Sequence, residues 1–131
     1  MNRNNRILLV DDEESMRLSL SAVLEQAGYN VAAAADGAAA LKMYREQGTD
    51  LVIIDLFMPE KEGLETIREM RQMCPDQKLI AISGGGRLVD GDYLALARAL
   101  GATKTLYKPF SAEEILRAVA DLLGTQEAKR I

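Results

Sequence analysis

Five side chains able to do polar chemistry stand at the ends of short apolar runs: Asp11 and Asp12 after residues 6–10, Asp55 closing 51–55, Ser83 closing 78–83, and Lys108 after 103–107. Taken alone, Asp12 reads equally well as a helix cap and Asp11 as a turn residue. Asp55 is harder to set aside. The run "LVIID" is apolar enough to be buried on both faces of a sheet, and a carboxylate ending it is costly unless it is paired or on a metal. Three carboxylates converging on one edge repel each other, so the arrangement makes sense around a cation. Magnesium fits best: a hard ion wanting about six oxygens, it takes one or two carboxylates, several waters and phosphate oxygens. Lys108 would balance part of the negative charge, while the Ser83 hydroxyl and the amides of Gly84, Gly85 and Gly86 would donate to phosphoryl oxygens.

Composition narrows the chemistry further. The chain has no histidine, which removes Ser-His-Asp, Cys-His and His-ligated metal arrangements and leaves carboxylates, hydroxyls and lysines. A net charge of −4, with 16 scattered basic residues, gives no footprint for nucleic acid. No apolar run approaches the roughly 20 residues of a membrane span, so no membrane contact is expected. The start "MNRNNRILLVDDEE" lacks the apolar core of a signal peptide, and the expected location is the cytoplasm. Cys74, the single cysteine, cannot form an internal disulfide and reads as a loop thiol beside Pro75. At 131 residues the chain is expected to be one domain, with a core over 6–123 and a polar tail over 124–131.

The elements that position the five residues follow from periodicity. Apolar runs at 6–10, 29–34, 51–55, 78–83 and 103–107 predict five strands, although the alanines at 32–35 also suit a helix. Between them, Met16, Leu20, Val23, Leu24 and Ala27 predict a first helix that Gly28 ends. Ala38, Leu41 and Tyr44 predict a second, ended by Gly48; Leu64, Ile67 and Met70 a third; Tyr93, Leu96, Ala97 and Leu100 a fourth, ended by Gly101. Ile115, Ala118, Val119 and Leu122 predict the last helix, opened by a capping box of Ser111 and Glu114. Five βα units in one short chain imply an α/β fold with a doubly wound parallel sheet, and ligands of such sheets collect beyond the carboxyl ends of the strands.

The segments "LLVDDEESMR", "VIIDLFMPEKEG", "IAISGGG" and "LYKPFS", in this order and spacing, resemble the receiver domain of two-component response regulators across residues 6–123. The resemblance implies a flavodoxin-like (βα)5 sheet of order 2-1-3-4-5 and a stand-alone, chemotaxis-receiver-like switch. It implies that Asp55 accepts a phosphoryl group from the phosphohistidine of a sensor histidine kinase or phosphotransfer protein, without the chain being an enzyme in its own right beyond slow loss of that group. Asp11, Asp12, Asp55 and the Phe57 main-chain carbonyl would hold Mg2+ or Mn2+, Ser83 would be the switch hydroxyl, and Lys108 would contact the phosphoryl group. Pro59 and Gly63 match the loop after the acceptor, and Lys108-Pro109 the bond that is usually cis in the family. A downstream protein would bind the face of helix four, strand five and helix five, a surface that could also support a homodimer.

Three positions depart from the family pattern. Thr105 stands three before the lysine, where a coupled aromatic is usual; Tyr107, on the same face by strand period, could substitute for it. The loop after Ser83 is long and glycine-rich, with Gly91 following the three consecutive glycines, and reads as a mobile switch or a fixed anion nest. Phe57, two residues after Asp55, is expected to slow hydrolysis of the phosphoryl group by crowding the approach of water. The lack of an acid at that position also weighs against the main rival, an aspartyl-phosphate phosphohydrolase, which needs one there. A flavodoxin-type nucleotide module finds neither GxxxxGK[ST] nor GxGxxG to support it. A receiver-shaped binding protein that is never phosphorylated would have no use for all five site residues.

Overall fold

The computed structural model describes residues 5–56, 63–83, 95 and 97–124. Five strands, β1 (Arg6–Val10), β2 (Asn30–Ala34), β3 (Leu51–Asp55), β4 (Lys78–Ser83) and β5 (Lys104–Tyr107), form one parallel sheet of order β2-β1-β3-β4-β5. The predicted order and the α/β doubly wound architecture are thus observed. Helices α1 (Glu14–Gln26), α2 (Gly37–Gln47), α3 (Gly63–Met73) and α5 (Ala112–Leu123) connect or follow the strands, and residues 95 and 97–99 are the described part of α4. Tyr93 and Leu96, counted on that helix from periodicity, lie outside the described residues, as does the tail from 125 onward.

Strand alternation divides the core in two. Leu8, Val10, Val52, Ile54, Leu79 and Ala81 pack with Leu41 and Tyr44 of α2, Ile67 and Met70 of α3, and Ala97 of α4. Ile7, Leu9, Leu51, Ile53, Ile80 and Ile82 pack on the other face with Leu20 and Leu24 of α1 and Ile115, Val119 and Leu123 of α5. β3, central in the sheet, is buried at every position, as a strand covered on both faces must be. The alanines of 32–34 extend as an edge strand because β1 supplies the ladder, overriding their helical preference. Ser111 and Glu114 form the expected capping box, each side chain bonding the other residue's amide.

Two polar clasps secure the sheet end opposite the strand C-termini. Arg71 donates to the carbonyls of Pro75 (3.0 Å), Gln77 (2.6 Å), Leu100 (3.3 Å) and Gly101, tying the end of α3 to the end of α4. Buried Tyr44 donates to Gln77 Oε1 at 2.7 Å, which in turn donates through Nε2 to the Lys78 carbonyl. Burial pushes the Tyr44 phenol up, the neighbouring Cys74 thiol adds to the shift, and Arg71 opposes it, leaving it at about 12. The folded value lies above the unfolded one of about 10, so the neutral phenol stabilises fully below about pH 10 and the contribution is lost as pH rises toward about 12. Tyr44→Phe is expected to flatten stability against pH across that window in urea titrations. At neutral pH it should cost about 1 to 3 kcal/mol, because Gln77 Oε1 is left buried without its donor.

Candidate functional site

The site forms where β1, β3, β4 and β5 end together. Register pairs Val10 with Ile54, so the next residues, Asp11 and Asp55, stand side by side; Asp55 pairs with Ile82 and Ser83 with Tyr107, which brings Ser83 and Lys108 to the same edge. Main-chain bonds continue past the strands, from Leu56 N–H to the Ile82 carbonyl (2.9 Å) and from Lys108 N–H to the Ser83 carbonyl (2.8 Å). The loop ends that present the side chains are therefore anchored to the sheet.

Within this frame Asp55 is 5% exposed and Asp11 only 2%. Lys108 Nζ lies 3.2 Å from Asp55 Oδ2 and 3.5 Å from Asp11 Oδ2. Burial alone would lower the Lys108 pKa, but the Asp55 and Asp11 carboxylates outweigh it and hold the ammonium above the ordinary lysine value. Asp12, exposed, completes the cluster: one carboxylate oxygen from each of Asp11, Asp12 and Asp55 lies within 4.8 Å of the others. Asp12 does not act as the helix cap that its position allows; the N-cap of α1 is Glu13, with no side-chain capping bond, because Asp12 faces the cluster instead. Asp11 does make the turn its position suggests, accepting from Glu13 N–H at 2.9 Å.

These residues suit a hard divalent cation. Oxygens around a common octahedral ion lie about 3 to 4.2 Å apart, close to the spread of the three carboxylates, and Asp11, Asp12, Asp55 and Lys108 together leave two negative charges for it to balance. The Ser83 hydroxyl is fully buried and has no hydrogen-bond partner among the described residues, which is costly unless the site supplies one. Phe57, Pro59, the glycines at 84–86 and Gly91 lie outside the described residues. Lys108-Pro109 is cis, as anticipated.

The family model for the response regulator receiver domain matches residues 7–120. The chain belongs to this family. As a receiver it is 34% identical over 124 residues to the chemotaxis protein CheY of Bacillus subtilis, covering 92% of this chain and 98% of that one. Among solved structures, a receiver domain protein from Clostridium thermocellum superposes with a TM-score of 0.84 at 30% identity, over 90% of this chain and 93% of that one. CheY4 of Vibrio cholerae gives 0.82 at 31% identity, over 90% and 98%. Receivers are signalling switches rather than enzymes. They pair with sensor histidine kinases or phosphotransfer proteins, and a metal-binding acidic pocket is the family's common feature, with which the Asp11, Asp12 and Asp55 cluster agrees.

The receiver's departure at Thr105 has a structural counterpart. Arg98 of α4 donates to Thr105 Oγ1 at 3.1 Å, a polar link across the helix–strand seam, while Tyr107 remains 43% exposed at the strand end. A second contact, which spacing does not announce, runs from Arg17 to the main chain of Asp11. Its only signal in the sequence is a cation placed one turn into a helix, beside an acidic cluster.

Proposed function

We propose that Asp55 is the phosphoacceptor of a phosphorylation-controlled signalling switch, charged by a sensor histidine kinase or phosphotransfer protein in the cytoplasm, with residues 6–123 working as one domain. An Asp55 carboxylate oxygen attacks the phosphorus of the donor phosphohistidine, a P–O bond forms as the P–N bond breaks, and the imidazole leaves with the electron pair. Asp11, Asp12, Asp55 and the Phe57 carbonyl would hold Mg2+ or Mn2+, which would screen the charge between incoming phosphoryl oxygens and the carboxylates. Lys108 neutralises charge on the transferred group, and the Ser83 hydroxyl turns to donate to one of its oxygens. The same aspartyl phosphate is lost slowly to water, resetting the switch.

The observation that carries this reading is the meeting of Asp11, Asp12, Asp55 and Lys108 at one sheet edge, beside a buried Ser83 hydroxyl. A charge-assisted hydrogen bond from Ser83, worth about 1.5 to 3 kcal/mol, would shift a two-state loop roughly 10 to 150-fold. The output is read on the face of α4, β5 and α5, where a groove lined by Lys104, Thr105, Arg117 and Asp121 separates strand from helix. A downstream protein docks there, and the same face would serve a second copy of the chain.

Intact-protein mass spectrometry after incubation with acetyl phosphate tests the reading. With Mg2+ the chain should gain one phosphoryl group, and with a chelator none. No gain under either condition, with no gain from a histidine kinase's phosphorylated domain, would leave a constitutive binding module.

A further inference from the structure

Every polar group of Asp11 has an assigned partner. Its N–H donates to the Ala34 carbonyl (3.1 Å), Oδ1 accepts from Glu13 N–H (2.9 Å), Oδ2 faces Lys108 Nζ (3.5 Å), and its main-chain carbonyl accepts from Arg17 Nη1 at 2.8 Å. Three of these follow from the sheet, the turn and the ion pair. The fourth depends on a side chain from the start of α1, and the placing of that side chain needs an explanation.

Helix energetics do not supply one. The N-terminal turn of a helix is its positive end, where acidic residues stabilise and cations do not. Arg17 sits one turn into α1, half-buried, on a helix whose N-cap residue makes no side-chain capping bond. Nor is the contact itself an ion pair, since the guanidinium donates to the main-chain carbonyl of Asp11 rather than to a carboxylate. We infer that Arg17 is a positioning residue for the acidic site: it fixes the peptide plane after Asp11, and so the direction in which the Asp11 carboxylate and the following Asp12 are presented. Without it, the carbonyl turns toward water to find a donor, and the accompanying change in ψ of Asp11 and φ of Asp12 displaces Asp12 and the Glu13 N–H that holds Asp11 Oδ1. A rigid planar donor suits this task better than a flexible ammonium.

The inference rests on the reading of the acidic cluster as a metal-dependent phosphoacceptor site, and its test separates the two. Titration with Mg2+ alone, followed by amide chemical shifts, compares the wild type with Arg17→Met and Arg17→Lys, with thermal unfolding as a check on folding. A role as mere positive charge and a role in positioning predict opposite signs. Removing a nearby cation should tighten Mg2+ binding, whereas releasing Asp11 should weaken it by about tenfold, the scale of losing an outer-shell partner. Arg17→Met is expected to bind Mg2+ about tenfold more weakly and to take up phosphoryl groups from acetyl phosphate more slowly even at saturating Mg2+. Arg17→Lys, which keeps the charge and a flexible donor, should fall between, about threefold weaker than wild type.

Mg2+ binding by Arg17→Met as tight as in the wild type, or tighter, overturns the inference. If Arg17→Met does not fold, Arg17→Lys decides, and wild-type affinity in that variant overturns it equally. A wild type that binds Mg2+ yet gains no phosphoryl group sinks the phosphoacceptor reading while the titration still decides the role of Arg17. A wild type that binds no Mg2+ sinks both.

Discussion

Asp55→Asn is expected to take up no phosphoryl group from acetyl phosphate under conditions in which the wild-type chain should gain one. The amide is neutral and too poor a nucleophile to attack phosphorus, and neither remaining carboxylate is placed as Asp55 is. Asp11 is 2% exposed, with Oδ1 held by Glu13 N–H and Oδ2 by Lys108, and Asp12 is exposed at the rim of the cluster. Asp55 alone ends the central, fully buried strand with Lys108 at hydrogen-bond distance. The loss should occur without loss of fold. Asn keeps an oxygen for Lys108 Nζ and removes one of three like charges, so the melting temperature in chelator should be no lower than that of the wild type. Intact mass and thermal unfolding on the same sample check both statements. A phosphorylated Asp55→Asn protein would move the acceptor to Asp11 or Asp12, and a phosphate-free but unfolded one would leave the acceptor unassigned.

Gly63→Ala should be the most disruptive single-methyl change near the site. A Cβ on Gly63 would lie 2.6 Å from the Asp55 carbonyl oxygen and 2.6 Å from Leu56 Cα. Both obstacles are main-chain atoms at the end of β3, so no rotamer change relieves the clash, and either α3 or the backbone of Asp55 and Leu56 must shift. Gly63 N–H also donates to the Leu56 carbonyl at 3.2 Å, holding the helix start against the strand end. Overpacking of this kind typically costs about 1 to 3 kcal/mol. Because the displaced atoms belong to Asp55 and Leu56, phosphoryl uptake should also slow, through misplacement of the nucleophile, more than the stability loss alone explains. Urea denaturation and the rate of acetyl phosphate uptake measure the two effects. Wild-type values of both would mean that α3 yields freely.

What the sequence makes legible is whatever repeats along one element. β1, β3 and β4 fall where their apolar runs lie, and β2 and β5 begin one residue later than read. The carboxylates at their ends are visible because a charge closing a buried run has no packing reason to be there. Contacts between a side chain and a distant main chain leave no such periodicity. Nothing in the spacing shows that Arg17 reaches the Asp11 carbonyl, that Gly63 lies under Asp55, that Arg71 gathers the carbonyls closing α3 and α4, or that Tyr44 meets Gln77 33 residues away. The Thr105 position is half legible. The missing aromatic is plain in the sequence, but its replacement by a hydrogen bond from Arg98 depends on how α4 lies against β5.

Lys108 follows the edge strand β5, the last strand in chain order, whereas the carboxylates it pairs with follow β1 and close β3. During synthesis, therefore, the acids emerge from the ribosome well before the ammonium that offsets them. A nascent chain halted before β5 holds Asp11 and Asp55 without Lys108 and without the strand that completes the sheet. Only once translation has passed β5 can the ammonium offset those acids and the sheet close at that edge.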